Sequence, residues 1–241
     1  MKQIFKNYFR ILLNSNNTAR YLIPPILYRS FIILRDSVFP SFKERLRKRQ
    51  LSKRTLFDGF DEIFKKEIQK IEVYGEIGCG QSTCYAASLK NIRTIYSVDS
   101  SKEWLSSIRT EIRFEQLFLI HVDLGNLGDW GRPLGYEKIE NVELYAKSVL
   151  LQKRKPQLIL IDGRFRVFCF LQILINCDYD LKIIFDDYLE DREYYKVIEK
   201  IITPTMNNGR QALFELNENF RNSSRIEDAK KMVEYFRYVM D

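Results

Sequence analysis

The stretch Ile71-Glu-Val-Tyr-Gly-Glu-Ile-Gly-Cys-Gly-Gln-Ser-Thr83 decides the fold. Its opening run, Ile71 to Tyr74, predicts a short buried strand. Glycines 75, 78 and 80 follow, and a helical pattern runs from about Thr83 to Lys90. Glycine lets the backbone turn sharply and approach a ligand closely, and the first turn of the next helix offers N–H groups without intrahelical partners. Strand, glycine turn and helix in that order begin a parallel α/β unit.

The same alternation continues outward. Phe60, Ile63, Phe64 and Ile68 suit one face of a preceding helix. Strands are predicted at 94–98, 117–122, 158–161, 182–185 and 211–216, with helices at 139–151, 167–175 and 194–202 between them. Ser100-Ser-Lys-Glu103 and Ser224-Arg-Ile-Glu227 predict capping boxes that open two more helices. In the second of these, Ile226, Ala229, Met232, Val233 and Phe236 share a face. Short apolar strands separated by helices imply an α/β fold: a doubly wound, mostly parallel, seven-stranded Rossmann-like sheet covered on both faces. The expected organisation is a basic N-terminal arm over 1–54, the α/β domain over 55–216 and a C-terminal helix over 217–241.

Charge separates the arm from the body. Residues 1–54 carry 13 of the 39 Lys and Arg and only two acids, Asp36 and Glu44, a net +11. Residues 55–241 carry 26 basic and 30 acidic side chains, a net −4. A mildly acidic body argues against nucleic-acid binding by the whole chain and leaves the charge argument to the arm. That arm interleaves basic and large apolar residues, and its greasiest part is broken by Pro24, Pro25 and Arg29, so it predicts no spanning helix. Three readings of it stay open: a helical extension packed on the body, an amphipathic arm on an anionic membrane surface, or, through Lys43 to Arg49, a contact with phosphate or nucleic acid. Cys79, Cys84, Cys169 and Cys177 show no C-x-x-C spacing and His121 is the one histidine. A disulfide scaffold and a structural zinc site are thereby disfavoured, and a cytoplasmic location is expected.

In doubly wound sheets ligands sit beyond the carboxyl ends of the strands. The residues at those tips therefore carry the functional reading. Glu76-Ile-Gly78-Cys-Gly80 forms an acid-x-Gly-x-Gly turn, and Ser82 follows. Asp99 ends the second strand, nineteen residues after Gly80. A carboxylate there can accept both hydroxyl hydrogens of a ribose. Asp123 follows the third strand, and Trp130 offers a flat ring in the next loop. Asp162 follows the fourth strand; Asp186, Asp187 and Tyr188 follow the fifth. Three converging acids repel one another unless a cation or proton is shared, and oxygen ligands of this kind suit Mg²⁺.

The Glu76–Ser82 turn with Asp99 resembles motif I and the ribose-binding acid of class I S-adenosylmethionine-dependent methyltransferases. The resemblance spans about Ile71 to Ile202. Ser82 stands where that family usually has a third glycine. By this resemblance Glu76, Gly78, Gly80, Ser82, Asp99 and Asp123 bind the cofactor. The Asp186-Asp-Tyr188 tip resembles metal-dependent sugar O-methyltransferases, which implies Asp162, Asp186 and Asp187 as Mg²⁺ ligands. Asp162, Asp187 and His121 are the candidates for removing an acceptor proton. Arg164 and Arg166, with Trp130, are the candidate substrate contacts, ahead of Arg192 and Tyr195. The expected function is methyl transfer to a sugar or glycoconjugate hydroxyl in polysaccharide biosynthesis, near a membrane through the arm. Two alternatives stand beside it: methylation of nucleic acid or a small phosphorylated metabolite, and a non-catalytic binding subunit on the same fold, as part of an oligomer.

Overall fold

A computed structural model describes residues 56–189 and 192–240. The expectations for the arm, residues 1–54, lie outside the described residues. The order of elements is α1 (Glu62–Ile68), β1 (Val73–Ile77), α2 (Gln81–Ser88), β2 (Thr94–Asp99), α3 (Lys102–Glu111), β3 (Leu117–His121), α4 (Val142–Lys147), β4 (Leu158–Ile161), α5 (Arg166–Asn176), β5 (Leu181–Phe185), β6 (Met206–Asn207), β7 (Ala212–Leu216), α6 (Glu218–Arg221) and α7 (Arg225–Phe236). The seven strands form one sheet in the order β3-β2-β1-β4-β5-β7-β6. β1 to β5 run parallel, and β7 enters antiparallel beside β5.

Strand residues alternate between two cores, as the two-residue period of a strand requires. Tyr96, Val98, Ile159 and Ile161 face one layer, where Tyr145 of α4, Phe168 of α5 and Val233 of α7 are buried. Ile95, Leu158 and Leu160 face the other, with Phe64 of α1, Ala86 of α2 and Ile108 of α3. Burying each such side chain contributes about 1.5–3 kcal/mol. Among the described residues no helix is long and apolar enough to cross a membrane.

Local expectations shift in five places. β1 extends to Ile77, which pairs with Val98 on one side and Ile161 on the other, so Gly75 and Glu76 belong to the strand. Backbone pairing on both edges overrides the break in the apolar pattern. The cap of α3 is Ser101, whose hydroxyl accepts the Trp104 N–H, one residue later than the capping box predicted. Ser224 makes no side-chain cap bond, although α7 packs as expected with Ala229 and Val233 buried. The 139–151 and 194–202 segments are partly 3₁₀: a turn at Ile139–Asn141 precedes α4, and Glu193–Lys200 is 3₁₀ throughout.

Candidate functional site

Strand order reverses between β1 and β4, so the crevice of this sheet opens at their carboxyl ends. Its floor is the turn after β1. Gly78 has φ +91, and a Cβ there would stand 2.6 Å from the backbone of Gly163, so the β1 and β4 tips meet only because both residues lack side chains. Gly80 differs. Its φ of 174 is ordinary extended backbone. A Cβ there would find nothing closer than the Trp104 ring at 4.0 Å, so its hydrogen faces open space at the start of α2.

Glu76 lies beneath this turn and is completely buried. Its carboxylate accepts hydroxyl hydrogen bonds from Tyr74 at 2.9 Å, Ser82 at 2.6 Å, Thr83 and Ser97. Thr83 Oγ1 in turn accepts the Gly80 N–H at 2.9 Å. Burial pushes the Glu76 carboxyl up, and the four hydroxyls offset part of that. Glu76 and Ser82, predicted to touch a cofactor, are therefore used inside the protein; they shape the turn. Tyr74 and Glu76, two residues apart on one strand face, carried the signal of a buried acid with a built-in partner.

Asp99 is half-exposed at the tip of β2. Its Oδ2 accepts the Cys79 N–H at 3.3 Å and its Oδ1 the Ser101 N–H at 2.8 Å. The Cys79 thiol adds a contact to Oδ2 at 3.7 Å, so Asp99 ties down the glycine turn from the neighbouring strand tip. Asp123 is exposed after β3 and accepts the Gly125 N–H at 2.9 Å. The exposed Trp130 and the half-buried Arg164 meet directly, with Arg164 Nε donating to the Trp130 carbonyl at 2.9 Å. The open face of Gly80, the first turn of α2 and the carboxylate of Asp99 fit an adenosyl cofactor carrying an amino-acid tail. Gly78, Gly80, Asp99 and Asp123 thus share one rim.

His121 is corrected. It pairs in register with Asp99 and its Nε2 lies 3.1 Å from the Ser100 carbonyl. Three strand spacings, about 14 Å, separate its strand from β4. It cannot share a proton with a group held at Asp162 or Asp187.

The acids of β4 and β5 do converge: one oxygen each from Asp162, Asp186 and Asp187 lies within 4.8 Å of the others. Their counter-charge comes from the chain itself. Arg210 grips the fully buried Asp186 through Nε at 3.1 Å and Nη2 at 2.8 Å, and Gln211 adds a bond at 3.3 Å. Asp187 meets Arg166 at 2.9 Å, Arg192 at 3.1 Å and Arg210 at 3.1 Å. Asp162 accepts from Arg166 Nη2 at 3.1 Å. Three guanidiniums supply counter-charge to the three carboxylates, and the Asp162 side chain stays one-third exposed. Neither Arg210 nor its partner Asp58, 2.8 Å away, had any signal near Asp186 in the sequence.

Arg166 is corrected as well. It is 4% exposed, and its donors go to the Gly163, Asp186 and Asp162 carbonyls and the Asp162 and Asp187 carboxylates. Those acceptors match the five N–H groups of a guanidinium, so Arg166 clamps the β4 and β5 tips together and has none left for a substrate. Tyr188 is buried with its hydroxyl on Glu199 at 2.7 Å, and Tyr195 is buried beneath Arg192.

The acids differ in their titration. Burial, then the charge of Asp186, raises the Asp162 carboxyl well above the usual range, against the pull of Arg166. For Asp187, burial pushes up but the Arg166, Arg210 and Arg192 charges outweigh it and hold the carboxyl below the usual range. The side chain of Asp162 is one-third exposed and that of Asp187 is 14% exposed. Asp162 N–H bonds to the Ile77 carbonyl at 2.9 Å, which places this carboxyl beside the glycine turn. This carboxyl, one-third exposed beside the glycine turn, is placed to exchange a proton with a group bound there.

No protein-family model and no curated protein sequence matches the chain. Among solved structures, a methyltransferase-like protein from Silicibacter pomeroyi is 28% identical with a TM-score of 0.61, over 68% of this chain and 88% of that one. An rRNA methylase from Streptococcus thermophilus is 15% identical with a TM-score of 0.39, over 68% of this chain and 98% of that one. TrmK of M. capricolum, solved with S-adenosyl-homocysteine, is 13% identical with a TM-score of 0.35, over 64% and 67%. In strand order, in the acid-x-Gly-x-Gly turn of β1 and in its likeness to the first of these structures, the chain belongs to the class I S-adenosylmethionine-dependent methyltransferase superfamily.

Proposed function

We propose that the chain transfers a methyl group to the oxygen of a hydroxyl-bearing acceptor, with Asp162 as the proton-accepting residue. The observation that carries this reading is the carboxyl of Asp162: raised in pKa, one-third exposed, and joined through its own N–H to the end of β1. S-adenosylmethionine, when bound, supplies an electrophilic methyl group. Asp99 would hold the ribose and the Gly78–Gly80 turn the methionine end, while Asp123 would lie toward the adenine. A hydroxyl is a weak nucleophile until its proton is removed, and a carboxylate within reach of that proton can take it. Arg166 fixes the Asp162 side chain through Nη2 and so orients the base. Asp187, held ionised by its arginines, would keep that clamp in place without itself taking the proton.

A sugar or glycoconjugate hydroxyl is the proposed acceptor. What supports oxygen as the target is a base beside the crevice. The arm over 1–54 is proposed, on its charge alone, as the contact with an anionic surface, and the chain as cytoplasmic. The experiment is calorimetric titration of the full chain with S-adenosylmethionine and S-adenosylhomocysteine, followed by transfer of a labelled methyl group to a panel of glycans, glycolipids and RNA. Wild type should bind both compounds and Asp162→Asn should bind them but turn over slowly. Full turnover by Asp162→Asn removes the base assignment. Labelling of RNA alone removes the acceptor class.

A further inference from the structure

We propose that the Trp130–Gly131 segment is a roof over the cofactor crevice, held down by Arg164 on one side and by residues 238–240 on the other. This rests on the reading of the crevice as the nucleotide site.

The loop from Asn126 to Leu134 closes on itself. Gly128 N–H donates to the Arg132 carbonyl at 2.7 Å, Leu134 N–H to the Asn126 carbonyl at 2.8 Å, and Leu127 pairs with Pro133 as an antiparallel bridge. At its apex Trp130 and Gly131 both have positive φ, +60 and +70. For tryptophan that backbone costs about 1–3 kcal/mol and persists only where surrounding bonds hold it.

Those bonds are specific. The Trp130 carbonyl accepts from Arg164, which follows β4, and the adjacent Gly131 carbonyl accepts from Ser100 Oγ at 3.4 Å, which follows β2. β2 and β4 flank β1, so two consecutive peptides span the tips on either side of the glycine turn. The far end of the loop is tied just as firmly. Arg132 donates through Nε and Nη2 to the Met240 carbonyl at 2.8 and 2.5 Å. Tyr136 donates its hydroxyl to the Tyr238 carbonyl at 3.1 Å, and the two rings pack edge to face 5.7 Å apart. A strained apex, two clasps across the crevice and a brace more than 100 residues away in sequence together describe a segment with a closed position. A ligand on the glycine turn must pass it to enter or leave.

The test is stopped-flow binding of S-adenosylhomocysteine to the full chain, read by its two tryptophans, for wild type, Arg132→Ala and Tyr136→Phe. Loosening a roof that gates both directions raises the association and dissociation rates together. Each should rise about 10- to 30-fold in Arg132→Ala, which loses both guanidinium hydrogen bonds, and about 3- to 10-fold in Tyr136→Phe, which loses one, with Kd moving less than either rate. Tyr136→Phe keeps the ring and so keeps the fold if Arg132→Ala does not. Rates equal to wild type in both variants overturn the proposal, as does a faster dissociation with unchanged association, which a merely weakened site would give. Failure of wild type to bind S-adenosylhomocysteine sinks the cofactor reading itself and this inference with it; binding with unchanged variant rates sinks the roof alone.

Discussion

A Cβ on Gly78 would stand 2.6 Å from both the Cα and the N of Gly163. The two glycines make a backbone-to-backbone seam between β1 and β4, and that seam is the floor of the crevice. Gly80, two residues on, faces open space instead. The same residue type serves opposite ends: close packing at 78, room for a ligand at 80.

The two positions should therefore respond differently to alanine. Gly78→Ala meets both a positive φ and a backbone clash, so it should lower stability by about 1–3 kcal/mol, visible as a drop in Tm. Gly80→Ala should melt like wild type yet bind S-adenosylhomocysteine more weakly in calorimetry. Equal Tm loss in both variants would contradict the assignment of Gly80 to the ligand.

Asp99→Ala should weaken cofactor binding by about 1.5–3 kcal/mol, the scale of hydrogen bonds to a charged group, or roughly 10- to 150-fold in Kd. Asp99→Asn should recover little, since an amide presents one acceptor oxygen and a donor where two hydroxyl hydrogens need acceptors. Calorimetry beside a melting curve checks this, because the Cys79 N–H tether is lost in the alanine variant too.

The raised Asp162 carboxyl fixes the sign of the pH dependence. A base must be ionised, so kcat/KM should rise with pH along a limb above the ordinary carboxylate range and level off beyond the raised pKa. Asp162→Asn should abolish the limb. Stability runs the other way at this site: between the ordinary and the raised value the folded chain binds more protons than the unfolded one, so the contribution of Asp162 falls as pH rises. Asp187, with its lowered pKa, contributes stability above the ordinary value that is lost as pH falls through its folded pKa.

Chelation should leave both turnover and cofactor affinity unchanged, because Arg166, Arg192 and Arg210 already supply the counter-charge of the three aspartates. Arg210→Met, by contrast, strands the buried Asp186 and should cost about 3–5 kcal/mol of stability. Loss of activity on chelation, restored by Mg²⁺, would establish the metal.

The alternation of apolar runs determined the sheet and its two helical layers, since β1, β2, β4 and β5 are buried on both faces and read so without context. The turn at Gly78–Gly80 and the carboxylate of Asp99 were legible for the same reason: residues near one another in sequence fall at the tips of adjacent parallel strands. Asp162, Asp186 and Asp187 were also foreseen to converge. What balances them was not, because Arg210 reaches Asp186 from the antiparallel edge of the sheet and Arg166 points its whole guanidinium inward. Glu76 moved from ligand contact to interior support once Ser97, from the neighbouring strand, joined its hydroxyl cage. Likewise the brace from Met240 to Arg132 spans a separation that no local pattern encodes. Periodicity and turn chemistry act over a few residues and are written in the sequence, whereas the pairing of buried charges depends on which distant side chains the packed sheet brings within about 3 Å.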